Sequence, residues 1–188
     1  IYPDRNKEWN YKELNADVNR LANALVDDGF QKHGVVMIQL LNCPEFAFAY
    51  VAAQKVHGVC CPSSYRLSPG ELAYNINDSQ PLVLIFDASF KPTVLEAVSL
   101  SAHKPKRLVV VGGESDGDII SYSDYVKDKS VEEPPYTCDY NIYDETTRLY
   151  TSGTTGRPKG VSLTSINEVL SAHDVMIHFP MSYKDTTM

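Results

Sequence analysis

The side chains best suited to chemistry lie in one short stretch of the sequence, residues 150–160. It contains four Ser or Thr hydroxyls, three glycines and two cations, Arg157 and Lys159. Glycine lets backbone N–H groups approach an anion closely, hydroxyls donate further hydrogen bonds, and the cations add positive charge. This combination predicts a loop that binds phosphate.

A flexible connector can have a similar composition, and the flanks of the loop argue against that alternative. Residues 148–150 and 161–163 both have the character of short strands, so the loop is expected to be held at each end. A Walker A loop is excluded, because it requires Gly-Lys-Ser/Thr followed by a helix, whereas Lys159 precedes Gly160. We therefore predict a strand–loop–strand phosphate site that works without a helix N-terminus.

Strands and helices alternate through the rest of the chain. The predicted strands are residues 35–41, 58–62, 82–86 and 107–111. The predicted helices begin at Asn10, Pro44, Ser68, Thr93 and Ile166. Asn10 and Ser68 each have a Glu three residues later, which is the pattern of a capping box. Because the strands are apolar runs without a polar face, they predict a layered α/β fold of repeated βαβ units, with a mostly parallel sheet covered on both faces.

These patterns divide the chain into four segments. Residues 1–130 form the α/β unit, 131–147 a surface connector, 148–163 the strand–phosphate loop–strand, and 164–188 a helix and the end of the chain. The sequence starts without Met and has no stop signal after Pro180, so it is expected to be a truncated part of a longer protein.

The composition excludes several kinds of partner and site. A net charge of −7 argues against nucleic acid or an anionic membrane as the main partner. The most apolar region, residues 35–61, is interrupted by polar side chains, so no transmembrane segment is predicted. The four cysteines lack a C-x-x-C spacing and the five histidines lack an H-E-x-x-H pattern. Free thiols in a reducing cytoplasm are therefore expected, and no metal site is predicted.

Residues 151–160 resemble the signature loop of the adenylate-forming, or AMP-binding, enzyme superfamily. That superfamily includes acyl-CoA synthetases, beetle luciferases and the adenylation domains of peptide synthetases. Residues 10–14 resemble an early helix start of the family, and residues 58–72 resemble the form found in acyl-CoA synthetases. Ser64 and Ser165 depart from the Asn and His that are frequent there. The chain is thus most similar to the N-terminal part of the large domain of a fatty-acid–CoA ligase.

The resemblance implies that the parent enzyme activates a carboxylic acid with ATP. The carboxylate attacks the α-phosphate, pyrophosphate leaves, and coenzyme A captures the acyl-adenylate, with Mg²⁺ bridging the phosphates. The departing phosphates gain negative charge, which the loop is implied to stabilise. The implied ATP-phosphate-binding residues are the hydroxyl donors Thr151, Ser152, Thr154 and Thr155, the glycines Gly153 and Gly156, and the point charge Lys159. No catalytic residue and no metal ligand is assigned in this chain.

Two other functions remain open. An amino-acid or aryl adenylation domain would pass its product to a carrier-protein thiol, and a non-catalytic nucleotide-binding module would keep the loop without the reaction. The family's adenine and ribose motifs, acyl pocket and C-terminal lysine lie beyond Met188, so the isolated chain is expected to be inactive. A downstream stretch like Tyr-x-x-Thr-Gly-Asp would favour the enzyme over the binding module.

Overall fold

A computed structural model describes Tyr2, residues 7–135, Asp139, residues 141–151 and residues 157–179. The helices are α1 (Tyr11–Asp27), α2 (Pro44–Lys55), α3 (Pro69–Ser79), α4 (Lys91–Leu100), α5 (Tyr122–Tyr125) and α6 (Ser165–His178). The strands are β1 (Val35–Gln39), β2 (Val59–Pro62), β3 (Val83–Asp87), β4 (Arg107–Val111), β5 (Ile119–Ser121), β6 (Glu145–Thr151) and β7 (Lys159–Thr164). A 3₁₀ turn, Ala88–Phe90, precedes α4.

The seven strands of the described chain form one sheet in the order β5-β4-β3-β1-β2-β6-β7. Strands β1 to β6 pair in parallel, and β7 runs antiparallel to β6. Parallel neighbours need a crossover connection, and α2, α3 and α4 supply it between β1 and β4. The predicted α/β fold with a mostly parallel sheet is confirmed.

The side chains of the central strands alternate between two apolar clusters. In β1, Val36 and Ile38 join the cluster under α1 and α2, whereas Val35 and Met37 join the cluster under α3 and α4. All four are at most 6% exposed. Apolar burial contributes about 25 cal/mol per Å² removed from water, so both layers stabilise the sheet. Since neither face of these strands is wet, they occur in the sequence as unbroken apolar runs.

Both predicted capping boxes are present at the starts of their helices. The Asn10 side chain accepts from the Glu13 N–H at 3.0 Å, and Glu13 accepts from the Asn10 N–H at 2.9 Å. Ser68 and Glu71 make the same reciprocal pair at 3.4 and 2.8 Å. The hydrogen bonds from Ser68 lower the pKa of Glu71, which keeps this cap ionised. The start of α3, a helix that contacts the candidate site, is therefore well defined.

Two regions after β4 differ from the sequence prediction. Neither β5 nor α5 was expected, because elements of three and four residues are too short to show a periodicity. The predicted connector, residues 131–147, ends earlier, since β6 begins at Glu145 and Thr147 pairs with Cys60 of β2. The first three residues of β6 are polar, so their strand conformation comes from pairing with neighbours and not from an apolar run.

The first part of the connector is fixed to the helices on one face of the sheet. The Asn23 side chain of α1 donates to the carbonyls of Ser130 and Glu132 at 3.1 and 3.0 Å. Lys55 of α2 forms an ion pair with Glu133 at 2.6 Å. These contacts guide the chain past α1 and α2, from the β5 edge of the sheet to β6.

Candidate functional site

The predicted phosphate-binding loop connects two paired strands. Strands β6 and β7 run antiparallel, and Thr151 and Lys159 form the last pair before the connection. Five predicted binding residues, Ser152, Gly153, Thr154, Thr155 and Gly156, lie outside the described residues. Directly opposite side chains on an antiparallel pair stand about 5 Å apart at Cβ. A hydroxyl and an ammonium group, both exposed, thus lie side by side at the mouth of the loop.

The two sides of the β6–β7 ribbon have different surroundings. Successive strand side chains point to opposite faces, so Thr151 and Lys159 share a face with Thr147, which is buried on the α2 side. Tyr150 lies on the other face, against the apolar cluster that contains α3. The candidate binding side chains are therefore separated from the packing side chains by the alternation of the strands.

Gly160 has a packing function beside the loop. It pairs with Tyr150, and a Cβ placed on it would come 3.2 Å from Cδ of Arg148 and 3.4 Å from the Tyr150 ring. The absence of a side chain therefore lets both neighbours lie across β7. Arg148 is further fixed by Glu145 at 2.7 Å, and this hydrogen-bonded ion pair raises the pKa of the guanidinium.

A network around Glu168 joins three elements next to the loop. Its carboxylate accepts hydrogen bonds from Thr147 Oγ1 at 2.5 Å and Tyr50 OH at 2.9 Å, and from Gln54 Nε2 at 2.9 Å. These residues belong to α6, β6 and α2. Burial is the main cause that raises the pKa of Tyr50 to about 12, so its hydroxyl stays protonated. The Glu168 network connects β6, four residues before the mouth of the loop, to two helices.

The sequence does not predict the Glu168 network. Tyr50 lies in the predicted helix that begins at Pro44, and only the structure shows that its hydroxyl belongs to a polar cluster. Glu168 is the acidic residue in the first turn of α6, directly before Val169 and Leu170, and this carboxylate is a signal that could have been followed. Tyr50 and Glu168 are 118 residues apart in the chain, so their contact depends on the fold.

The whole chain, residues 1–188, matches the family model described as AMP-binding enzyme. The chain belongs to this family. Its relatives include the crotonobetaine/carnitine–CoA ligases of Citrobacter koseri, 30% identical over 162 residues, and of Escherichia fergusonii, 32% identical over 164 residues. These alignments cover 86% and 85% of the chain and 31% of each relative, so the chain spans about a third of their length.

Solved structures of AMP-binding enzymes have the same fold. An anthranilate CoA ligase in complex with anthranoyl-AMP matches with a TM-score of 0.84 at 22% identity, over 92% of this chain and 32% of that one. An acyl-CoA synthetase of Brucella canis matches with a TM-score of 0.79 at 19% identity, over 95% and 32%. At these identities the likeness concerns the fold alone. A fatty acyl CoA synthetase of Mycobacterium tuberculosis reaches 28% identity with a TM-score of 0.70, over 87% and 30%.

The predicted membership of the adenylate-forming superfamily is thereby confirmed, and the relatives are CoA ligases. The roles of the seven loop residues toward ATP stay predictions, as does a cytoplasmic location. Each helix in the described part of the chain is too short or too polar to cross a bilayer.

Proposed function

We propose that this chain supplies the ATP-phosphate loop of an AMP-forming acid–CoA ligase. The observation that carries the proposal is the cross-strand pair Thr151 and Lys159, which closes a Gly-, Ser- and Thr-rich loop in a member of the AMP-binding enzyme family. The relatives named CoA ligases and the acyl-CoA-synthetase-like residues 58–72 favour coenzyme A over a carrier protein as the acceptor.

The proposed reaction follows from where charge develops. The substrate carboxylate attacks the α-phosphate of ATP, the bond to the β-phosphate breaks, and pyrophosphate leaves with the bonding electrons. Lys159 places a positive charge, and Thr151 a hydroxyl donor, beside the departing phosphates. The hydroxyls and backbone amides of residues 152–156 complete the donor set. The thiol of coenzyme A then displaces AMP from the acyl-adenylate, giving the thioester.

Mg²⁺ belongs to this proposal as the partner of ATP. Oxygen ligands from two phosphates suit the ion, which usually keeps several of its waters and few protein ligands. The described part of the chain contains no group of three or more His, Cys, Asp or Glu side chains that could hold a metal ion, so we assign Mg²⁺ no ligand from these residues.

Carboxylate-dependent exchange between ATP and pyrophosphate in the full-length protein tests the proposed function. A panel of aliphatic, aromatic and amino acids is supplied, and release of AMP is then followed with and without coenzyme A. We expect exchange with at least one acid and thioester formation only when coenzyme A is present. Exchange without a response to coenzyme A would favour a carrier-protein acceptor.

Absence of exchange with every acid, together with measurable ATP binding, would contradict the proposal and favour a binding module. The isolated 188-residue chain serves as the matched comparison. We expect no exchange from it, since the resemblance places the adenine, ribose and acyl sites beyond residue 188.

A further inference from the structure

Helix α3 contacts both flanks of the phosphate loop. The hydroxyl of Tyr74 donates to the carbonyl of Pro158, on the C-terminal flank, at 3.1 Å. On the N-terminal flank, the hydroxyl of Tyr150 donates to the Asp78 carboxylate at 2.5 Å. Tyr74 and Asp78 are four residues apart and therefore lie on one face of the helix, one turn from each other. We call these two residues the flank pair.

The flank pair stands on a rigid part of the molecule. Leu72 and Ile76 of α3 are fully buried, and Ala73 is 5% exposed, all in the cluster that covers one face of the sheet. The capping box at Ser68 defines the start of the helix. Polar groups carried by a helix packed in this way are held in position more accurately than groups on a loop.

The contact at Pro158 lies where the strand ladder can no longer hold the chain. Lys159, the first residue of β7, forms the pair with β6 nearest the loop, and the preceding proline has no N–H to continue the ladder. The hydrogen bond from Tyr74 therefore fixes the first residue beyond the paired ribbon through its carbonyl. On the opposite flank, the ring of Tyr150 packs against the α3 cluster, and burial together with the bond to Asp78 raises the pKa of its hydroxyl. That hydroxyl stays protonated and remains a donor.

We propose that Tyr74 and Asp78 are positioning residues that set the span of the phosphate loop. The inference rests on the proposed function, because it assigns the pair a task in binding the phosphates of ATP. The flank pair holds the chain on both sides of the loop from outside, so Thr151 and Lys159 at its mouth are kept in position for the phosphates. Donors that are already in place lower the barrier because they need no reorganisation during the reaction.

Kinetics of ATP–pyrophosphate exchange in the full-length protein test the flank pair. The variants are Tyr74→Phe, which removes one hydroxyl, Asp78→Ala, which removes the acceptor, and Asp78→Asn, which keeps an acceptor oxygen. Loss of one neutral hydrogen bond corresponds to about a five-fold change. We expect KM for ATP and for pyrophosphate to rise about five-fold in Tyr74→Phe and somewhat more in Asp78→Ala, with KM for the carboxylic acid unchanged. Asp78→Asn should recover most of the loss.

Tyr11→Phe is the matched control, because Tyr11 is 91% exposed on α1. We expect this variant to behave as the wild type. Equal rises in KM for ATP, pyrophosphate and the carboxylic acid, accompanied by a lower melting temperature, would mean that the flank pair only supports the fold and would overturn the inference. Unchanged kinetics in both Tyr74→Phe and Asp78→Ala would also overturn it.

Hydrogen exchange separates this inference from the proposed function. In Tyr74→Phe and Asp78→Ala we expect faster hydrogen exchange at those amides of Tyr150, Thr151, Lys159 and Gly160 that are hydrogen-bonded across the ribbon, and no change in β1 and β3. If the wild-type protein shows no ATP–pyrophosphate exchange, the proposed function fails. The hydrogen-exchange rates of these amides would still show whether the flank pair holds the ends of the loop. Unchanged exchange at these amides would contradict the positioning role by itself.

Discussion

The two ends of the sheet are held together by different interactions. From β5 to β2 the strands are covered on both faces, and side chains such as Ile38 and Leu84 are fully buried. At the other end, none of the residues of α6 is buried, and Leu149 and Val161 of the β6–β7 ribbon are 39% and 41% exposed. Within these 188 residues, the covered part is stabilised by apolar packing, whereas the loop-bearing end depends on a few polar contacts.

The polar contacts hold β6 in place from both faces of the sheet. The Glu168 network binds Thr147 on the side of α2 and α6, and the flank pair binds Tyr150 and Pro158 on the side of α3. An open cavity of about 400 Å³ lies between α6 and the ribbon, so the packing there is loose. Hydrogen bonds, which are directional, determine the position of the loop, whereas apolar packing stabilises the sheet. The comparison therefore separates stability from positioning within one sheet.

A core truncation should show the largest effect. Leu25→Ala removes a fully buried side chain from the cluster under α1 and α2 and is expected to lower the free energy of unfolding by about 2–5 kcal/mol. Leu170→Ala, at a position 58% exposed on α6, is the matched control and should change it by less than about 0.5 kcal/mol. Urea unfolding of both variants checks the difference. Comparable losses in the two would show that α6 is packed as tightly as the covered part.

Removal of Glu168 should release α6 and leave the covered part intact. Glu168→Ala leaves Tyr50, Gln54 and Thr147 without their shared acceptor, and an unsatisfied partly buried group costs about 1–3 kcal/mol. We expect that loss in the free energy of opening of α6, measured by hydrogen exchange, with protection in β1 and β3 retained. Glu168→Gln keeps an acceptor oxygen, so its free energy of opening of α6 should lie between those of the wild type and Glu168→Ala. Equal loss of protection in β1 would contradict the separation of the two regions.

The smallest effect concerns the connector that joins the two regions. The hydrogen bond from Lys55 is the main cause that lowers the pKa of Glu133 below its ordinary value of 4.5. The ion pair therefore stabilises the docked connector above that pH, and its contribution is lost as the pH falls below it. Because Glu133 is largely exposed, we expect no more than about 0.5 kcal/mol. Denaturant unfolding at pH 6 and pH 3 checks this. The free energy of unfolding of the wild type should lose the contribution of the ion pair over this range, and Glu133→Gln should lack that contribution at both pH values. An identical pH dependence in both would contradict the assignment.

The covered region could be predicted from the sequence because its signals are local. Unbroken apolar runs indicated β1 to β4, and Asn10 and Ser68 with their glutamates indicated the starts of α1 and α3. The two strands that flank the loop could also be predicted, from the strand-like residues 148–150 and 161–163, whereas the phosphate-binding role of the loop stays a prediction. The residues that hold this loop could not, because each contact joins distant parts of the chain. Tyr74 and Pro158 are 84 residues apart, and their contact exists only after α3 has packed on the sheet.

The most direct test of the central claim is the effect of Lys159→Ala on KM for pyrophosphate in the exchange reaction of the full-length protein. Lys12→Ala, an exposed lysine on α1, is the control. A charged hydrogen bond to phosphate corresponds to about 1.5–3 kcal/mol, which is a change of about 10- to 100-fold. The proposed function predicts a rise of that size for Lys159→Ala, with KM for the carboxylic acid unchanged. An unchanged KM for pyrophosphate in Lys159→Ala would contradict the assignment of this loop to the phosphates of ATP.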